Sequence, residues 1–94
     1  MIKVQQVGDG DPLEFEATIE EPDGTTRHRV SVTRADAARL GGGAASEHLV
    51  EAAFRFLLER EPKEAILSRF DIKTIARYFP EFEREFPNTL NGNG

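Results

Sequence analysis

The first third of the chain alternates. Leu13, Phe15, Ala17 and Ile19 are separated by Glu14, Glu16, Thr18 and Glu20, the two-residue period of a strand with one face buried. Glu21-Pro22-Asp23-Gly24-Thr25 follows, with proline suited to a turn's fixed φ and glycine to its positive φ. His28, Val30 and Val32 then alternate with Arg27, Arg29, Ser31 and Thr33, so the pattern predicts a β-hairpin. Placing Glu21 opposite Thr26 sets Phe15 against Val32, Ala17 against Val30 and Ile19 against His28. The polar face then pairs Glu20 with Arg27, Thr18 with Arg29 and Glu16 with Ser31. Ile2, Val4 and Val7 offer a third strand, which would make the hairpin a small antiparallel meander.

Helical periodicity takes over further along. Arg34–Leu40 is a short candidate helix, broken by Gly41-Gly42-Gly43, and Ser46 stands where an N-cap would be. From about Glu47 to Arg60, Leu49, Val50, Ala53, Phe54, Phe56, Leu57 and Leu58 form an apolar arc wider than one sheet face requires. His48, Glu51, Arg55 and Glu59 fill the opposite stripe, with carboxylate–arginine spacings of four. Pro62 ends that helix and opens a short one with Ile66, Leu67 and Phe70 inward. Asp71 reads as the cap of a third segment carrying Ile72, Ile75, Ala76 and Phe79, which Pro80 closes. Phe82 and Phe86 continue the aromatic line on a last turn, and 87–94 reads as a flexible tail. The expected architecture is α+β: a hairpin or three-stranded antiparallel meander packed against a main amphipathic helix and short C-terminal helices, with residues 1–86 as one domain.

Composition narrows the function. The chain has 94 residues, 38% apolar and 31% charged, a balance that favours a folded domain over a disordered chain. A formal net charge of −5 disfavours an extensive nucleic-acid interface. The absence of cysteine removes disulfides, thiolate metal sites and cysteine nucleophiles. No apolar run approaches the roughly 18 residues of a membrane span, and MIKVQQVGDGD lacks the character of a signal peptide. A cytosolic location is therefore expected.

Candidate chemistry is sparse. His28 falls on the apolar hairpin face and His48 on a polar helix stripe, neither with a second ligand at metal-binding spacing. Gly41–Gly43 precede a helix but lack the lysine and leading strand of a phosphate loop. Asp9-Gly10-Asp11 is explained by turn chemistry rather than calcium. Glu14, Glu16 and Glu20 lie on an exposed face where carboxylates stay ionised. No constellation supports an enzyme, a cofactor or a metal.

Two segments carry resemblances. FRFLLEREPKEAILSRFDIKTIARYFPEFE (54–83), about a third of the chain, resembles the C-terminal half of short uncharacterised bacterial proteins carrying FLLEREP, FD and YFPE. That resemblance implies a bacterial origin and one compact domain, and transfers no functional residue. Residues 26–60, with RHRVSVT and SEHLVEAAFRFLLE, more weakly resemble ribbon–helix–helix DNA-binding regulators and antitoxins. Carried over, Arg27, Arg29, Ser31 and Thr33 would read bases and Ser46 would hold a phosphate. That reading pairs 27–33 with a second copy of the chain, whereas the hairpin pairs it with 13–20 of the same copy.

Six of the seven phenylalanines and the only tyrosine lie between Phe54 and Phe86. A small hairpin face is short of area to cover them all, so part of this set is expected to face a protein partner or a second copy. Aromatic and arginine side chains anchor interfaces, which singles out Arg77, Tyr78, Phe82 and Phe86. The expected function is a non-catalytic interaction or regulatory module.

Overall fold

The computed structural model describes residues 1–91. Its elements are β1 (Ile2–Asp9), β2 (Leu13–Glu21), β3 (Gly24–Val32), α1 (Arg34–Gly41), α2 (Ser46–Leu58), a 3-10 turn (Lys63–Ala65), β4 (Arg69–Asp71), α3 (Thr74–Tyr78) and α4 (Phe82–Leu90). The strands form one sheet in the order β1-β2-β3-β4. The first three are antiparallel and β4 runs parallel to β3. The expected α+β arrangement and third strand are present, and β4 is an addition to them.

The alternating pattern assigns the sheet faces. Leu13, Phe15, Ala17 and Ile19 of β2 and His28, Val30 and Val32 of β3 are buried beneath the helices. Their neighbours Glu14, Glu16, Thr18, Arg27, Arg29 and Ser31 lie on the other face. The cross-strand register differs from expectation by two residues. Glu21 faces Gly24, Phe15 faces Val30, Ala17 faces His28 and Glu16 faces Arg29. A two-residue slip leaves every side chain on its face, so the hydrophobic pattern cannot choose between the two registers. The tight Pro22-Asp23 turn chooses, and Gly24 closes it at φ 148°, a conformation that glycine adopts without Cβ strain.

Capping also departs from expectation. Ser46 is the first residue of α2 rather than its cap; Ala45 holds the cap position, and no side chain satisfies that end. The capping hydroxyl belongs to Thr33 instead, whose Oγ1 accepts the Asp36 N–H at 3.1 Å and starts α1. The Arg69–Asp71 segment, expected as the end of one short helix and the cap of the next, is strand. Ile72 N–H donates to the Ser31 carbonyl, and Ser31 Oγ donates to the Asp71 carboxylate at 2.8 Å. The tail expected from Pro87 begins as helix, since α4 continues through Leu90 with Thr89 buried. Residues 92–94 lie outside the described residues.

The wide apolar arc of α2 packs against β1, β2, α1 and α4. On the α4 side the phenylalanines stack. Phe56 meets Phe82 edge-on with ring centroids 4.9 Å apart, and Phe82 meets Phe86 at the same distance. Arg60 lies 3.5 Å above the Phe56 ring and donates to Glu81 and Glu85, closing the α2–α4 seam. At the far edge Lys63, with its side chain covered, places its ammonium 2.7 Å from Asp23, 2.7 Å from Glu64 and 3.1 Å from Glu21. Hydrogen bonds donated to Asp23 and Glu64 raise the Lys63 ammonium above its ordinary range, and the lysine in turn lowers both carboxyls. This cluster fastens the hairpin turn to the segment leading into β4.

Candidate functional site

The α2 helix stops at Leu58, and the chain descends through Glu59–Ser68 to reach the edge of β3. His28 holds that descent in place. Its Nδ1 donates to the Leu67 carbonyl at 2.7 Å, its Nε2 is bonded to Thr26 Oγ1 at 2.9 Å, and its ring lies 5.4 Å from that of Phe54. The carbonyl can only accept, which fixes the role of Nδ1. Beyond this clamp, side chains point to opposite sides of the segment. Leu67 and Phe70 line a recess on the helix side, while Arg69, opposite Arg29, lies on the open sheet face.

On the helix side lies an apolar cleft of about 300 Å³. Leu57 and Ile66 form its floor, Phe70, Ile75 and Phe79 its walls, and Leu67 and Tyr78 its rim. Leu67 is 47% exposed and Tyr78 66%, which leaves a large aliphatic and a large aromatic side chain beside an apolar recess. Proline and helix geometry account for the opening. Pro62 ends the α2 segment, and α3 is five residues long, closing just before Pro80, so it covers the recess on one side only. Glu61 is the acidic group of the lining. Burial pushes its carboxyl above the usual range, and no lysine or arginine among the described residues pairs with it.

The residues singled out as an aromatic interface divide here. Tyr78 is exposed at the cleft rim and Arg77 is exposed beside it on α3. Phe82 and Phe86, expected to be partly exposed, are each 1% exposed and belong to the core. α4 folds back onto α2 and supplies the cover that the hairpin alone lacked. The cleft lining itself comes from α2, the 3-10 turn, β4 and α3, which share no single periodicity. Leu67, expected to face inward with Ile66 and Phe70, is instead at the rim, and Tyr78, outside the Ile72, Ile75, Ala76 and Phe79 set, is the signal in the sequence that could have marked it.

The residues of the ribbon reading are dispersed. Thr33 is occupied as the α1 cap and Ser31 donates to Asp71, while Ser46 lies beyond α1. β3 pairs with β2 along its length and with β4 at residues 29–31. A ribbon shared between two copies requires an unpaired β3, because a strand has only two hydrogen-bonding edges. Arg27 and Arg29 do share a surface, the open sheet face, with Arg69 beside them.

Among the described residues there is no group of three or more His, Asp or Glu side chains able to hold a metal ion, and no helix is long and apolar enough to cross a membrane. No protein-family model, curated protein or solved structure matches the chain.

Proposed function

We propose that this chain is a non-catalytic interaction module of the bacterial cytosol that seats an apolar side chain of a protein partner in the cleft between α2, β4 and α3. The observation that carries the reading is the cleft itself, about 300 Å³ of apolar recess with Leu67 and Tyr78 exposed at its rim. A solvent-exposed recess of this character keeps apolar surface wet, and filling it with an aliphatic side chain returns about 25 cal/mol per Å² buried. Glu61 sets the preference within that class. An unpaired carboxylate in a desolvated wall attracts a cationic neighbour and repels an acidic one. The matching motif is an aliphatic residue followed by lysine or arginine.

The test is affinity isolation from a bacterial lysate treated with nuclease, using the wild type and the Leu67→Asp/Tyr78→Ala variant. Both side chains are exposed, so the fold is expected to tolerate their loss, which an unchanged far-UV spectrum would establish. The wild type is expected to retain a stoichiometric protein that the variant loses, with affinity reduced at least tenfold, the scale of a removed anchor. Equal retention by both proteins removes the cleft from the interface. Retention of nucleic acid alone, lost on nuclease treatment, contradicts the protein-partner reading.

A further inference from the structure

The open sheet face carries charges the cleft does not explain. Of the described arginines and lysines, eight have a carboxylate within 4.0 Å, and Arg27, Arg29, Arg69 and Arg77 have none. Three of these four line one shallow depression of about 260 Å³, together with Glu16, while the His28 side chain that borders it is turned to the buried face. The convergence comes from topology. Arg27 and Arg29 are two residues apart on β3, and the parallel register sets Arg29 directly opposite Arg69. Like charges opposite one another across a strand pair are unfavourable, and here Glu16 is the single carboxylate of the lining against three guanidiniums. In a chain of net charge −5, this is a local reversal of sign.

We propose that this depression is a binding site for a phosphate group of a small ligand, held by the guanidinium groups of Arg27, Arg29 and Arg69. Guanidinium presents paired N–H donors in the fork geometry that matches phosphate oxygens. The same face argues against a long polyanion. Its residues Glu14, Glu16, Thr18, Arg27, Arg29, Ser31, Arg69 and Asp71 include no aromatic on which bases could stack, and Glu14 and Glu16 on β2 and Asp71 on β4 border the patch. The site therefore accommodates one or two phosphates rather than a strand. It is independent of the cleft, although Ser68 and Arg69 belong to the same short segment as Leu67 and Phe70.

The experiment is a ¹H–¹⁵N NMR titration of the full chain with inorganic pyrophosphate at constant ionic strength. It is repeated on Arg29→Gln/Arg69→Gln and on Arg84→Gln, which removes one charge from the surface of α4. A single-stranded uridine 12-mer forms the second arm. Saturable shifts confined to residues 27–29 and 68–69 are expected, weakened at least tenfold in the double variant and unchanged in Arg84→Gln. Unsaturable shifts, or equal weakening in Arg84→Gln, would show general charge screening and overturn the site. Tighter binding of the 12-mer than of pyrophosphate, lost in the double variant, would overturn the small-ligand class. The amide spectrum of each variant establishes that it is folded.

Discussion

Phe82→Ala is expected to destabilise the chain by about 3–5 kcal/mol, the usual cost of emptying a buried phenylalanine site. A domain of this size has about 5–15 kcal/mol in total, so the variant sits near the edge of folding at 37 °C. The magnitude follows from position. Phe82 is 1% exposed between Phe56 and Phe86, with both ring centroids 4.9 Å away. Losing its ring removes the wedge between α2 and α4 and the edge-on contact beneath Arg60. The Arg60–Glu81 and Arg60–Glu85 ion pairs are partly solvated and hold little of that loss back. Urea denaturation of Phe82→Ala beside Tyr78→Ala separates core from rim. The first is expected to lose several kcal/mol and the second less than 1 kcal/mol, as for an exposed side chain. Similar losses in the two variants would contradict the division drawn between them.

His28→Leu is the second substitution with a large expected effect, about 1–3 kcal/mol, because it conserves bulk but strands a buried acceptor. His28 is 4% exposed and both ring nitrogens are bonded. Leucine leaves the Leu67 carbonyl and Thr26 hydroxyl without those partners. The loss is also directional. The 66–71 segment is held to the sheet by the His28 bond, the Arg29 N–H to Ser68 carbonyl bond and the three-residue β4 ladder. Hydrogen exchange is expected to accelerate at Phe70 and Ile72 more than at Phe15 or Ala17, with the β2–β3 pairing left intact. Uniform acceleration would mean that His28 supports the whole core rather than this strap.

These two sites also show what was legible in the sequence. Alternation in 13–20 and 27–33 disclosed a hairpin and its faces, because a period of two has no helical reading. Register was not legible, since a shift of two residues preserves both faces and the decision lies in the Pro22-Asp23 turn. β4 was hidden by its length. Three residues, Arg69–Asp71, give no periodicity, and they become a strand only by pairing with residues 40 positions earlier. The same nonlocal pairing brings Arg69 to Arg29, so the basic depression has no contiguous motif. The breadth of the α2 arc was read correctly as exceeding one sheet face. What covers the surplus is α4 of the same chain, and Phe82 and Phe86 are therefore core, leaving Tyr78 and Leu67 at the surface.

Helix capping was not legible: Ser46 was expected as a cap, and Thr33 is one. Thr33 followed three residues later by Asp36 is an N-cap pattern that the strand reading concealed, because Thr33 also completes the alternation of 27–33. Burial alone would raise the Asp36 carboxyl. Hydrogen bonds with Arg39 and Thr33, and the charges of Arg39 and Lys73, outweigh it and hold the group below the usual range. Arg39 also bonds Glu83, so this cap ties α1 to α4.

The most direct test of the cleft reading is an NMR titration of ¹³C-methyl-labelled protein with two blocked dipeptides, N-acetyl-Leu-Arg-amide and N-acetyl-Leu-Glu-amide. The predicted result is a set of saturable shifts at the methyls of Leu57, Ile66, Leu67 and Ile75 and at the Tyr78 ring, stronger for the arginine peptide. That preference should fade as pH falls from 7 through the raised Glu61 range, because protonation removes the charge that selects the cation. Shifts scattered over the surface, or binding of the two dipeptides with equal strength at pH 7, would contradict the account.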